Sequence, residues 1–152
     1  MQYKKFRQEI APLCLRLIVG TGFMVHGWAK ISRGTIGFEK LLIQTGIPFP
    51  HLSAILTPYV ELTGGIAILL GAFVAIVSVP LVVIMLTAMF SIHLHYGFSS
   101  VNTIGLTDKG PLFGPPGYEI NLLYIACLIS LFLTGAGSLS VDKLIKGQKK
   151  AA

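Results

Sequence analysis

Charge is scarce in this sequence. Charged residues make up 12% of its 152 positions, and only six are acidic, whereas a soluble domain carries about 25%. With 53% hydrophobic residues and a mean hydropathy of +0.76, that shortage excludes an ordinary water-soluble domain. Cysteine is scarce too: Cys14 and Cys127 both lie in apolar segments and form no CxxC or metal-type spacing, so they read as small packing residues and not as a disulfide or redox pair. Walker, Rossmann, Gly-x-Ser-x-Gly and HExxH signatures are absent, which removes the common nucleotide, hydrolase and zinc-protease chemistries.

Apolar runs fill the space that charge leaves. Four spans of about 20 residues with short connections would use nearly the whole chain, and the expected spans are 12–29, 52–72, 75–96 and 118–135 of a single domain, 1–152. Pro12 suits an opening helical turn and Trp28 a membrane interface. The first run contains Arg16 and has no small-residue cleavage site before Lys30, so it reads as a retained helix and not a signal peptide. Residues 32–44 place Phe38, Leu41 and Leu42 on one face of a short helix lying along the membrane surface.

No charged residue occurs between Glu61 and Asp108. One helix over 62–92 would be about 46 Å long, well beyond the roughly 30 Å hydrocarbon core. The chain must therefore turn within 71–80. Residues 97–117, GFSSVNTIGLTDKGPLFGPPG, carry loop chemistry, and so long a loop in a compact bundle suggests function. The last run ends at GAGS, where glycine can close a helix. The expected fold is an all-α, four-helix integral membrane bundle with an interfacial helix between the first two spans.

A formal charge of +6 would suggest nucleic acid in a soluble protein. Here seven of the twelve basic residues sit at the chain ends, against four in the two connecting loops (Lys30, Arg33, Lys40 and Lys109). Headgroup contact and a multi-pass topology with both termini cytoplasmic explain that pattern without nucleic acid. The implied location is a prokaryotic-type plasma membrane.

An unpaired charge in hydrocarbon costs about 2.5–3.5 kcal/mol, so each ionisable residue there needs a partner or a purpose. Arg16 and Glu61 are expected to form a structural ion pair between the first two spans. His26, Lys30, His93, His95 and Glu119 all fall at the outer level, with Tyr118 beside them and Tyr124 one helical face further in. On the third span Thr87, Ser91 and His95 form one stripe and Met85, Met89 and His93 another, which favours His95 as the inward histidine. Asn121, Tyr124, Cys127 and Thr134 mark the inward face of the fourth span. Gly20, Gly27, Gly64, Gly65 and Gly71 fit close helix approach.

Imidazole, amine, phenol and carboxylate groups at one level suit the binding and protonation of a quinone. Hydrogen-bonded interface residues under a long loop are the structural alternative. Histidines on different helices also leave axial haem ligation or a metal site open, although no short ligand motif supports either.

The ordered series LRLIVGTGFMVHGWAKI, GIPFP, ELTGGIAILLG, MLTAMFSIHLH, YEINLLY and GAGSLSVD resembles the DoxX family of small four-helix membrane proteins. The chain departs from the family pattern at two places: AFVAIV lacks a basic residue common between helices two and three, and GAGS replaces the usual GPGR. The positions that match the family's polar motifs are Arg16, His26, Lys30, Glu61, His93 and Glu119. The resemblance implies a quinone-interacting oxidoreductase subunit, since the related DoxD and DoxA form a thiosulfate:quinone oxidoreductase. It equally allows a non-catalytic accessory or assembly subunit of a larger membrane redox complex. Either role implies another membrane or peripheral redox subunit as partner, and a homo-oligomer is also open. The lack of CxxC separates the chain from the quinone-linked dithiol oxidases of similar size.

Overall fold

Glycine sets how the first two long helices meet. In the computed structural model, which describes residues 2–148, α1 (Gln2–Ser32) lies antiparallel along α3 (Pro50–Leu70). A methyl group added at Gly20 would fall within 2.9 Å of Leu69 N and Gly65 O, and one at Gly27 would fall 2.6 Å from both Leu62 N and Pro58 O. The two backbones touch at these points, as small residues permit in membrane bundles. That contact fixes the register: Gly20 stands near Gly65 and Leu69, and Gly27 near Pro58 and Leu62.

A short helix, α2 (Thr35–Gln44), packs on α3, and α4 (Val74–Ala88) follows a tight turn at 71–73, inside the interval where the charge-free run had to turn. Helix α4 continues as a π turn (Met89–His93) and a 3-10 turn (Leu94–Tyr96). Then come two strands, β1 (Thr103–Thr107) and β2 (Gly110–Phe113), helix α5 (Glu119–Thr134) and helix α6 (Val141–Gln148). Helices α1, α3, α4 and α5 close around Val19, Phe23, Ile68, Leu81, Leu128 and Leu131, all nearly inaccessible.

The chain is mostly helical, and three of its helices are long and apolar enough to cross a membrane: Ile10–Ser32, Pro50–Leu70 and Val74–Ser91. Only about a third of each span's most apolar window is buried in the protein, so lipid is the natural solvent for the remainder. Helix α5 is apolar but shorter, at 16 residues.

Several expectations change. Pro12 lies inside α1, whose helix begins at Gln2, because the polar segment before the apolar run continues the helix. The all-α expectation gives way to a small antiparallel hairpin within 97–117. Its strand β1 alternates Thr103, Ile104, Gly105, Leu106, Thr107, a period-two pattern, and Gly110 takes a φ of 119° at the turn. On α5 the buried face is Asn121, Ile125, Leu128 and Leu131. Tyr124 and Cys127 flank this face, and Thr134 is exposed.

The expected Arg16–Glu61 pair does not form. The glycine register puts Glu61 level with His26, about ten helical residues or ~15 Å along the bundle from Arg16. Arg16 instead donates to four main-chain carbonyls: Ile68 (3.0 Å) and Leu69 (2.7 Å) at the end of α3, and Ala136 (2.9 Å) and Leu139 (2.7 Å) beyond α5. The α3 carbonyls lack intrahelical donors and carry partial negative charge, and with the two carbonyls beyond α5 they stabilise a buried guanidinium without a carboxylate. Asp142 completes this end, accepting from Phe73 N (2.7 Å) and Val74 N (3.1 Å) at the start of α4.

Candidate functional site

At the opposite end of the bundle the helices part around a cavity of about 820 Å³, within the size range of small-molecule sites. Its walls are largely aliphatic, with Val83, Ile84 and Ile92 from α4 and the π turn, and Leu41 and Leu42 from α2. Besides the hydroxyls of Ser53 and Thr57 on α3 and Thr87 on α4, polar groups enter from four elements. They are His26 and Lys30 of α1, Glu61 of α3, Ser91 and His93 of the π turn, and Asn121 and Tyr124 of α5.

The strongest electrostatic feature is the Lys30–Glu61 pair. Lys30 Nζ lies 2.6 Å from Glu61 Oε1 and 2.5 Å from Oε2. Glu61 is 1% exposed and Lys30 27%. The ammonium also stands 5.1 Å from the centre of the Phe38 ring, a cation–π distance. Helices α1, α2 and α3 therefore converge on one charge. Lys30 is one turn from His26, and His26 approaches Tyr124 with ring centres 6.5 Å apart at 70°. Tyr124 packs edge-on against Phe23 at 5.3 Å, and its hydroxyl occupies the space a side chain at Gly22 would need.

The π turn decides which histidine enters. Thr87 and Ser91 line the cavity as an α-helical stripe requires, but the wider π winding breaks the stripe before residue 95. His93 lines the cavity, and its Nδ1–H donates to the Pro116 carbonyl at 3.0 Å. That leaves Nε2 as the atom free to accept a proton when the ring is neutral. His95 is exposed and does not line the cavity, contrary to its expected role.

Glu119 is likewise outside the lining. Its Oε2 accepts from Ser100 N (3.0 Å) and Ser100 Oγ (2.7 Å), which fastens the long loop to α5. That anchoring brings Pro116 and Gly117 over the cavity. Glu61 was expected below this group and instead belongs to it. The spacing of Gly20, Gly27 and Gly65 is the sequence signal that could have placed it, since it sets the α1–α3 register. Asn121, expected only as part of an inward face, is 5% exposed and lines the cavity.

Among the described residues, no group of three or more His, Cys, Asp or Glu side chains is placed to hold a metal ion, so the metal option gains no support. Cys14 and Cys127 are both free.

The model of one family, DoxX, matches residues 11–94, more than half the chain. The chain belongs to the DoxX family. The match runs from α1 through the π turn and includes His26, Lys30, Glu61 and His93. A Bacillus subtilis (strain 168) relative named "Putative oxidoreductase CatD" is 31% identical over 144 residues, covering 93% of this chain and 92% of the relative. Two Haemophilus influenzae proteins are similar at 26% and 28% identity, covering 90% and 84% of this DoxX chain and 84% and 85% of their own lengths. No solved structure matches.

Proposed function

We propose that this DoxX protein binds a quinone in the α1–α3–α4–α5 cavity and serves as the membrane subunit of a quinone-linked oxidoreductase. The observation that carries the reading is an ion pair between buried Glu61 and part-exposed Lys30 in the wall of an otherwise largely apolar cavity, which His26, His93 and Tyr124 also line. Aliphatic walls suit a flat ring, and donors converging from different helices suit its oxygens. A bound quinone supplies reversible two-electron, two-proton chemistry.

The chain's own residues handle charge and protons. Lys30 Nζ can donate to a ligand oxygen while it remains close to Glu61, so the carboxylate is never left unpaired. Tyr124 Oη and His93 Nε2 offer a donor and a proton acceptor in the same cavity. Leu41, Leu42, Pro116 and Gly117 cover the cavity and limit water. The electrons come from a partner redox subunit, and the oxidoreductase name of the B. subtilis relative is in keeping with such an assembly. A reduced sulfur compound such as thiosulfate is one donor suggested by the DoxD and DoxA resemblance.

In this reading α1, α3, α4 and α5 all cross a plasma membrane. Helix α5 with Tyr118 and Gly135 is 18 residues, about 27 Å, at the short end for a span. Helix α2 and the hairpin then lie at the outer surface and both termini in the cytoplasm, in line with the basic residues at the chain ends.

The test is titration of purified protein in nanodiscs with a quinone analogue, followed by quenching of Trp28, the single tryptophan. His26→Ala should weaken binding about five- to tenfold, the worth of one hydrogen bond near 1 kcal/mol. If no quinone co-purifies or titrates, the proposal is wrong. The competing accessory-subunit role draws on the hairpin, whose Leu106 (84%), Ile104 (60%) and Phe113 (58%) are exposed. A stable large partner whose activity survives loss of His26, Lys30 and Glu61 together would favour it.

A further inference from the structure

We infer, resting on the quinone reading above, that the ligand carries a long apolar tail, and that this tail leaves the cavity sideways between α3 and α4 into lipid. A second cavity of about 410 Å³ lies between these helices. It shares Ser53, Thr57, Val83 and Ile84 with the main cavity, so the two spaces adjoin along a common wall. Beyond the shared residues it is lined only by Phe49, Leu52, Leu56, Val60 and Pro80.

Polarity is divided between the two spaces. Every ionisable side chain belongs to the main cavity and none to the crevice. Ser53 Oγ is already engaged, donating to the Pro48 carbonyl at 3.2 Å. The crevice's other hydroxyl, Thr57, lies on the wall shared with the main cavity, so beyond that wall the crevice is wholly apolar and its chemistry is that of a hydrocarbon chain. Leu52, Leu56 and Val83 are each a little over half exposed on the surface that faces lipid.

The outer mouth carries a second mark. Phe49 is a non-glycine residue at φ 52°, immediately before Pro50, and its ring is 78% exposed. Phe73 takes nearly the same φ, 50°, before α4, so the conformation marks a helix entry, and what Phe49 adds at the mouth is an exposed apolar side chain. Pro80, at the far end of the crevice, removes one helical hydrogen bond from α4.

A tail that moves from lipid into this crevice exchanges one apolar surrounding for another and gains little free energy. The crevice therefore acts as an exit that permits a tailed ligand to seat its head, not as a source of affinity. Bulk placed there should penalise only ligands with a tail. The experiment compares a benzoquinone head without a tail and the same head with a decyl chain. Both are titrated calorimetrically into wild type, Leu56→Trp and Leu52→Trp in phosphatidylcholine nanodiscs. Partition of the decyl chain into lipid is common to all three proteins and cancels between them.

The expected result is that both variants weaken the decyl ligand about tenfold or more, the scale of overpacking a fitted space, while the tailless head binds as in wild type. Unchanged decyl affinity in both variants overturns the exit and leaves the quinone reading intact. Equal loss of both ligands in both variants also overturns it, because the crevice would then belong to the head site. Failure of both ligands to bind wild type removes the quinone reading and the exit with it, and binding of the decyl ligand alone overturns the exit by making the tail a source of affinity.

Discussion

Lys30 and Glu61 show how one contact changes the meaning of a residue. Glu61 is 1% exposed while Lys30 is 27% exposed, so removing Lys30 would leave a buried charge without its partner. The cost is below the roughly 3–5 kcal/mol of a fully buried pair, about 1–3 kcal/mol. Lys30→Met should therefore lower stability by about that amount, measured by unfolding in mild detergent, and Glu61→Gln in the same background should recover much of it. If the double variant is no more stable than Lys30→Met, the pair is not what holds Glu61. Gly22 tests function in place of stability. A methyl group there meets the far end of the Tyr124 side chain and not backbone, so Gly22→Ala should displace the ring. We expect quinone affinity to fall at least about fivefold, the worth of a lost hydrogen bond, with thermal stability nearly unchanged.

Helix α1 and helix α3 are held by contact between backbones, which cannot yield as side chains do. Gly27→Ala should cost about 1–3 kcal/mol, as overpacking does. Gly37 in α2 provides the control, because nothing lies within 4 Å of a methyl placed there. Gly37→Ala should be neutral or stabilising by up to about 1 kcal/mol through helix propensity. Melting curves of the two variants should move in opposite directions or differ by that sum. The π turn is the element least legible beforehand. Met89–His93 has ordinary membrane-helix composition, and no residue preference marks where a helix widens. Continuous 3.6-residue winding therefore favoured His95, whereas the turn delivered His93.

The whole molecule has two ends with different work. At one end Arg16 and Asp142 tie the ends of α3 and α5 and the start of α4 together through main-chain atoms. At the other, the loop anchored by Glu119 and His93 covers the cavity. The four-span reading makes this second end extracytoplasmic. A cysteine introduced at Lys109 in a Cys14→Ala, Cys127→Ala background should react with a membrane-impermeant maleimide in intact cells, while one introduced at Lys143 should react only after lysis. The opposite pattern would invert the topology and place the cavity on the cytoplasmic side.

Composition and hydropathy by themselves determined the membrane class, the long apolar helices and a turn somewhere within 71–80, because each depends on properties summed along one segment. The motif series likewise pointed to the DoxX family without tertiary information. Which charged groups meet was decided only by tertiary structure. Glycine contact set the register that gave Glu61 to Lys30, main-chain carbonyls took Arg16, and the π and 3-10 turns at the end of α4 exchanged His95 for His93. The physical reason is reach: a hydrogen bond tolerates a few tenths of an ångström, while one residue of helical register moves a side chain by about 1.5 Å and 100°.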